Sequence, residues 1–302
     1  MQHISTFPQM IEHLRQNSSR KRVAVVCPYD DETVSAAAMA IDQGLADIIL
    51  IGDSRLSEQR LPEALSSSAQ VETVIVSDAD EAAAMAVKMV KDNQADILMK
   101  GLINTDTLLK AILNKENGLL PKGKLLTHLS AAQLPGYGKL LFFSDVAVIP
   151  YPTLEQRAAI IEYDLATCRK LGIEEPKVAL IHFTEKVNPK FPNSTDYVEL
   201  IKMAQTGKFG KVKMAGPMDV KTACDAHSAD VKGLTSDVCG DADLLIFPNI
   251  ESGNTFYKTI TLFGKAVVAG ILQGPSCPVI LSSRSDSAES KMLSLALACV
   301  NA

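Results

Sequence analysis

The chain has 302 residues, 47% of them hydrophobic, with a formal charge of -5 and no long basic block, which excludes a nucleic-acid surface as its main business and allows an anionic small ligand. No apolar run reaches the roughly 18 to 20 residues of a membrane span, and the start Met1-Gln-His-Ile-Ser-Thr lacks a basic lead into a signal core, so a cytoplasmic protein without membrane association is expected. Six scattered cysteines form no C-x-x-C pair, so neither a zinc knuckle nor a disulfide framework is suggested.

Apolar runs of strand length recur along the chain: Arg22–Cys27, Asp47–Gly52, Val74–Val76, Asp96–Met99, Lys139–Phe143 and Asp145–Ile149, then Lys177–Phe183, Val212–Ala215, Asp243–Phe247, Ala266–Ala269 and Pro278–Leu281. Helical patterns lie between them over 31–43, 80–93, 104–114, 153–171, 194–206, 251–264 and 286–300. Strand-helix alternation of this kind predicts an α/β protein with parallel sheets covered by helices. Thr153 is placed to cap one long helix, and the Asn193–Asp196 segment the next. The densest mid-chain Pro/Gly cluster, Gln133–Gly138, suggests a domain boundary near 133–138.

Ligands of open α/β sheets bind beyond the carboxyl ends of the strands, which directs attention to four loops: Lys100–Thr105, Thr184–Lys190, Pro248–Asn254 and Ser282–Asp286. Arg284 is the only arginine after Arg169, whereas 13 lysines share that stretch, and it sits among Ser282, Ser283, Ser285 and Ser287. A guanidinium ringed by hydroxyls at the end of a buried strand suits a phosphate or carboxylate, because it offers a bidentate fork. A solvated turn with a helix cap is the plainer reading of the same residues. Lys100 and Gly101 ahead of a helix present an ammonium and N–H groups to a phosphate, or form an ordinary strand-to-helix turn. Gly253 permits close approach to the backbone, or is simply a tight first-turn residue, while Asn254 can donate to an oxyanion. The spacing of Asp237, Asp241 and Asp243 suits a metal poorly, and His128, His182 and His227 show no ligand or triad spacing. Neither a G-x-S-x-G elbow nor a phosphate-binding G-x-x-x-x-G-K-[ST] loop occurs.

Taken as a set, Asp243–Lys258, Gly264-Lys-Ala, Gly270–Gly274, Pro278–Arg284, Asp145–Thr153, Pro176–Leu180 and Lys100–Thr107 resemble the phosphate acetyltransferase and phosphate butyryltransferase family, in the family's order, from about residue 20 onward. Ser283–Ser287 and Glu185–Lys190 look more like the butyryltransferase branch. The resemblance implies reversible acyl transfer between CoA and inorganic phosphate in a ternary complex, with acyl-CoA, phosphate and acyl phosphate as ligands, no tightly bound cofactor and no metal. It also implies a homodimer or larger homo-oligomer. The fold it implies is two α/β/α domains similar to isocitrate and isopropylmalate dehydrogenases, residues 1–135 plus 285–302 and an inserted 136–284, with the active site in the interdomain cleft. Roles follow residue by residue: Ser283, Asn254 and Asp286 catalytic, with Arg284, Lys100, Gly253, Lys258 and Ser285 binding substrate. Two departures stand out. The acetyltransferase branch carries its base six positions after the arginine, where this chain has Ser290, leaving Asp286 or Glu289 as substitutes; and a CoA-binding arginine is replaced by Leu109 beside Lys110. Phosphate acetyltransferase is the near alternative, an NAD- and metal-dependent dehydrogenase of the same fold a distant one, and a non-catalytic acyl-CoA-binding homologue a third.

Overall fold

A computed structural model of the chain describes residues 3–16, 19–283 and 285–302. The contacts divide it into two compact units: the first over Pro8–Leu126 and Ala269–Ala302, the second over Thr127–Val268 with the segment ending at Phe7. Helix α1, Phe7–Gln16, precedes the first unit's alternating run β1 (Lys21–Val26), α2 (Asp31–Asp42), β2 (Ala46–Gly52), α3 (Arg55–Glu58), α4 (Glu63–Ser66), β3 (Val71–Ile75), α5 (Ala79–Lys91), β4 (Ile97–Lys100) and α6 (Thr105–Ile112). The second unit comprises β5 (Thr127–Gln133), β6 (Leu141–Ser144), α7 (Leu154–Lys170), β7 (Lys177–Ile181), α8 (Pro192–Gln205), β8 (Lys213–Met218), α9 (Val220–Cys224), α10 (Ala226–Val231), β9 (Leu244–Ile246) and α11 (Ile250–Leu262). The chain then returns through β10 (Val267–Gln273), β11 (Val279–Ile280) and α12 (Ala288–Asn301).

In the first unit the strand order is β3-β2-β1-β4-β11-β10, parallel except for the β10–β11 pair. In the second it is β5-β6-β9-β7-β8, parallel except for β5–β6. Strands buried on both faces read as continuous apolar runs: Val23–Val26, Ile48–Ile51 and Ile97–Met99 are all buried, as are Val178–Ile181 and Leu244–Ile246. Helix starts follow from capping chemistry. Asp30 accepts from Thr33 N, Asp78 from Glu81 N, and Thr153 with Gln156 completes a capping box at α7. No helix among the described residues is long and apolar enough to cross a membrane.

Two expectations are corrected. Asp145–Ile149 is a loop and not a strand, because the Asp145 carboxylate gathers the N–H groups of Ala147, Val148 and Ile149, which a strand would spend on a ladder. Helix α8 starts at Pro192 with Phe191 as its N-cap, and Asn193 instead accepts from Arg157. Strand β5 and helices α1, α9 and α10 were not anticipated, although Phe7, Met10 and Leu14 of α1 fall on one buried stripe. The Gln133–Gly138 cluster joins β5 to β6 within one antiparallel pair, and β11, with the serine-rich loop behind it, pairs with β4.

Candidate active site

In the first unit the chain runs from β1 to β2 to β3 in one direction and then crosses back to β4 on the other side of β1. That reversal makes the carboxyl ends of β1 and β4 a topological switch point, where open α/β sheets hold ligands. Lys100 closes β4 there, only 5% exposed, with Nζ donating to Gly101 O at 3.2 Å. The loop behind it is stitched to β1: Gly101 N donates to Val26 O and Leu102 N to Cys27 O. Position 101 must be glycine, since a Cβ would meet Cys27 O at 2.4 Å. The side chain of Asn104 makes no capping hydrogen bond to α6, and Leu109 and Lys110 follow on that helix.

The parallel register Ile280↔Met99 delivers the loop after β11 to the same edge as Lys100. Ser283 N donates to Asp286 Oδ2 at 2.7 Å and Asp286 N to Ser283 O at 3.2 Å, a closed turn that fixes the carboxylate against the serine backbone. Ser283 Oγ and Ser285 Oγ are 3.0 Å apart, and both residues are exposed. Arg284 lies outside the described residues. Ser287 caps α12 by accepting from Ser290 N, so the position matching the acetyltransferase base is a first-turn serine, with Glu289 exposed beside it.

In the second unit Gly253, Asn254 and Lys258 ride on α11, whose N-cap Asn249 accepts from Ser252 N and Oγ. Gly253 is buried, and a Cβ there would lie 2.3 Å from Asp145 O, so the space beside this glycine is filled by the chain itself. Asn254 Nδ2 donates to Val146 O at 3.0 Å, which orients the amide and commits one of its two hydrogens. Lys258 is exposed, with Nζ 5.0 Å from the Tyr257 ring centroid.

Two positioning residues escaped the sequence reading. Asp145, 3% exposed, accepts from Thr127 Oγ1 at 2.8 Å and from the Ala147 and Val148 N–H groups at 2.8 and 2.9 Å, holding the carbonyls that receive Gly253 and Asn254. Arg157, 1% exposed, donates to Asp196 at 2.8 Å, Asn193 at 2.6 Å and Pro248 O at 3.0 Å, pinning the loop that leads into α11. The available signal was that Arg157, Ile161, Asp164 and Cys168 share one helical stripe, so two ionisable side chains sit on an apolar face. The Asp237, Asp241 and Asp243 carboxylates meet lysines: Asp237 pairs with Lys213, Asp241 with Lys139 and Lys177, and Asp243 with Lys139. Lys139 and Lys177 hold Asp241 below the usual carboxylate range, although burial works against them.

Residues 67–299 match the phosphate acetyl/butaryl transferase family. The chain is 38% identical to phosphate butyryltransferase of Clostridium acetobutylicum over 98% of both chains, and 34% identical to phosphate acetyltransferase of Thermotoga maritima over 93% of this chain and 95% of that one. A branched-chain phosphotransacylase from Enterococcus faecalis is 33% identical and superposes with a TM-score of 0.81, covering 93% of this chain and 98% of that chain. A 4-hydroxythreonine-4-phosphate dehydrogenase from Burkholderia phymatum, 12% identical with a TM-score of 0.54 over 94% of this chain and 98% of that one, shares the fold. With most of its length matched and relatives above 30% identity spanning nearly all of it, the chain belongs to the phosphate acetyl/butaryl transferase family.

Proposed function

We propose that this chain is a phosphate butyryltransferase: it exchanges a short-chain acyl group between CoA and inorganic phosphate, with both substrates bound together and no resident cofactor. The observation that carries the reading is the 38% identity to a phosphate butyryltransferase over 98% of each chain. In the direction of acyl phosphate formation a phosphate oxygen attacks the thioester carbonyl carbon, the C–S bond breaks and CoA leaves as thiolate. In reverse the thiolate attacks the acyl phosphate and phosphate leaves.

The residues suit these steps. The thiolate is the reactive form of CoA, so a base is needed on its path. Asp286 serves, held by the Ser283 N–H in one orientation. The tetrahedral oxyanion needs a donor such as the Ser283 hydroxyl or the Asn254 amide. Arg284 grips phosphate bidentately, with Ser285 beside it. Lys100 and Lys258 supply positive charge for the phosphates of the substrates, and Gly253 seats α11 against Asp145. The enzyme works in the cytoplasm as a homodimer or larger homo-oligomer, which gel filtration tests.

Phosphate acetyltransferase is the second reading, favoured by the 34% identity to the Thermotoga maritima enzyme. Thioester loss from acetyl-, propionyl- and butyryl-CoA, measured with and without phosphate, separates the two. Phosphate-dependent loss fastest with butyryl-CoA is expected. A wide preference for acetyl-CoA overturns the branch, and no phosphate dependence overturns the reaction.

A further inference from the structure

Helix α12 begins directly behind the serine-rich turn, and its whole span from Lys291 to Cys299 is buried. Most of that span is leucine, alanine and methionine, packed on α2, whose own buried residues include Ala36, Ala37, Ala38 and Ala40. Apolar burial is non-directional, so it keeps such a helix in the core without fixing where it stands along its axis. Polar bonds supply that reference. Gly270 N donates to Ser294 Oγ at 2.9 Å, and Lys291 Nζ donates to Asp30 Oδ1 at 2.8 Å and to Thr33 Oγ1 at 3.1 Å.

Asp30 is itself held in place. It caps α2 by accepting from Thr33 N at 2.9 Å and Thr33 Oγ1 at 2.8 Å. Just before it, Cys27 O accepts from both Tyr29 N and Leu102 N, which joins the end of β1 to the loop behind Lys100. From Lys291 the bonds run forward to the proposed base. Lys291 N donates to Ser287 O at 3.0 Å and Ser290 N to Ser287 Oγ at 3.2 Å, and the residue before Ser287 is Asp286, in its closed turn with Ser283. At the other end of this segment the Ile280↔Met99 register ties β11 to β4. The loop between β11 and α12 is thus anchored by strand pairing in front and by an ion pair behind.

A buried ion pair adds little stability, because well-packed apolar residues in its place are often neutral or better. What it adds is direction. Lys291 is 3% exposed and the Asp30 side chain 19%, and their bond at 2.8 Å is made at one axial setting of α12.

We infer that Lys291, together with Asp30, is a positioning residue for the acyl transfer: the pair sets the first turn of α12 and, through it, the Asp286 carboxylate. The inference rests on the phosphate acyltransferase reading above, with Asp286 as base, and assigns the residues that place that base. Neither side chain touches substrate in this role, so losing the pair slows turnover without weakening acyl-CoA binding. A displacement of about 1 Å at a reacting group can cost about 100-fold in rate.

The test is a double-mutant cycle between Lys291 and Asp286. Turnover of butyryl-CoA at saturating phosphate is measured for the wild type, Lys291→Met, Asp286→Asn and the double variant, with thermal unfolding to verify that each is folded at the assay temperature. Lys291→Met is expected to lower kcat about tenfold, with the KM for acyl-CoA within about a factor of two of wild type. In the Asp286→Asn background the same substitution is expected to change kcat by less than about a factor of two, because no base is left to place. Should Lys291→Met not fold, Asp30→Asn takes its place: it keeps an acceptor for the Thr33 cap, removes the charge, and is expected to lower kcat about threefold with the same loss of effect beside Asp286→Asn. An unchanged kcat in the single variant, or an undiminished loss in the Asp286→Asn background, overturns the positioning role while the reaction stands. Asp286→Asn turning over like the wild type removes the base, and the positioning role with it. Wild-type protein that consumes no thioester with phosphate overturns the reaction itself.

Discussion

Asp286 Oδ2 lies 2.7 Å from the Ser283 backbone nitrogen and accepts its hydrogen, so the proposed base and the proposed oxyanion donor belong to one turn. Asp286→Asn keeps an acceptor for that hydrogen and removes only the basicity. Turnover is expected to fall about 100-fold or more with CoA affinity retained. Asp286→Ala also opens the turn and is expected to weaken phosphate use as well. Near wild-type turnover in the asparagine variant would remove Asp286 as the base and direct attention to Glu289.

Arg284→Lys replaces a planar fork with a point charge. The KM for phosphate is expected to rise about tenfold, with the KM for acyl-CoA little changed. Steady-state kinetics with each substrate varied in turn checks this, and an unchanged phosphate KM refutes the grip.

Lys291, 3% exposed, donates from Nζ to Asp30 Oδ1 at 2.8 Å and joins the first turn of α12 to the cap of α2. Burial pushes the Asp30 carboxyl up, but Lys291 and Thr33 outweigh it and hold its pKa below the ordinary value. Lys291→Met is expected to cost about 3 kcal/mol at neutral pH, since it removes the only cation paired with a half-buried carboxylate among the described residues. A carboxylate with a depressed folded-state pKa stabilises fully above its unfolded value, about 3.9, and loses that contribution as pH falls through the folded value. Denaturant titrations of the two proteins should therefore converge below about pH 3.9. A gap independent of pH would show that packing alone is at stake.

Asp164 is wholly buried, and neither carboxylate oxygen has a hydrogen-bond partner among the described residues. Burial pushes its pKa well above the ordinary value; the nearby Ser144 hydroxyl works against that rise, and the Asp145 charge adds to it. The folded state thus retains a proton that the unfolded chain releases above about pH 3.9, and stability falls as pH rises toward the folded pKa, by at most about 1.4 kcal/mol per pH unit. Asp164→Asn removes this titration. Its stability is expected to be flatter with pH than that of the wild type, and parallel curves would contradict the assignment.

Gly253→Ala places a methyl 2.3 Å from Asp145 O, a backbone atom that has no rotamer to yield. A loss of about 2 kcal/mol is expected, seen as a lower Tm, together with reduced turnover because α11 carries Asn254. A fully stable and active variant would show that the helix shifts freely.

Local patterns made much of the fold legible. Runs such as Val23–Val26 and Ile48–Ile51 announce strands buried on both faces, and Thr153 with Gln156 announces a helix start. The same rule misread Asp145–Ile149, where an apolar run conceals a carboxylate that captures its own backbone. It also passed over Thr127–Gln133, whose polar residues are buried because partners such as Asp145 arrive from elsewhere in the chain.

The sequence by itself determined the α/β class, the family pattern and the loops that follow strands, because periodicity and turn chemistry are properties of neighbours along the chain. Only the tertiary structure decided which loops share an edge, that Gly253 yields its space to Asp145, that Asp237, Asp241 and Asp243 are paired with lysines, and that four phenylalanines far apart in sequence wall one pocket. The reason is physical. Strand order and register bring together residues separated by tens of positions, and no local propensity encodes which distant carbonyl, cation or ring will occupy the space beside a given side chain.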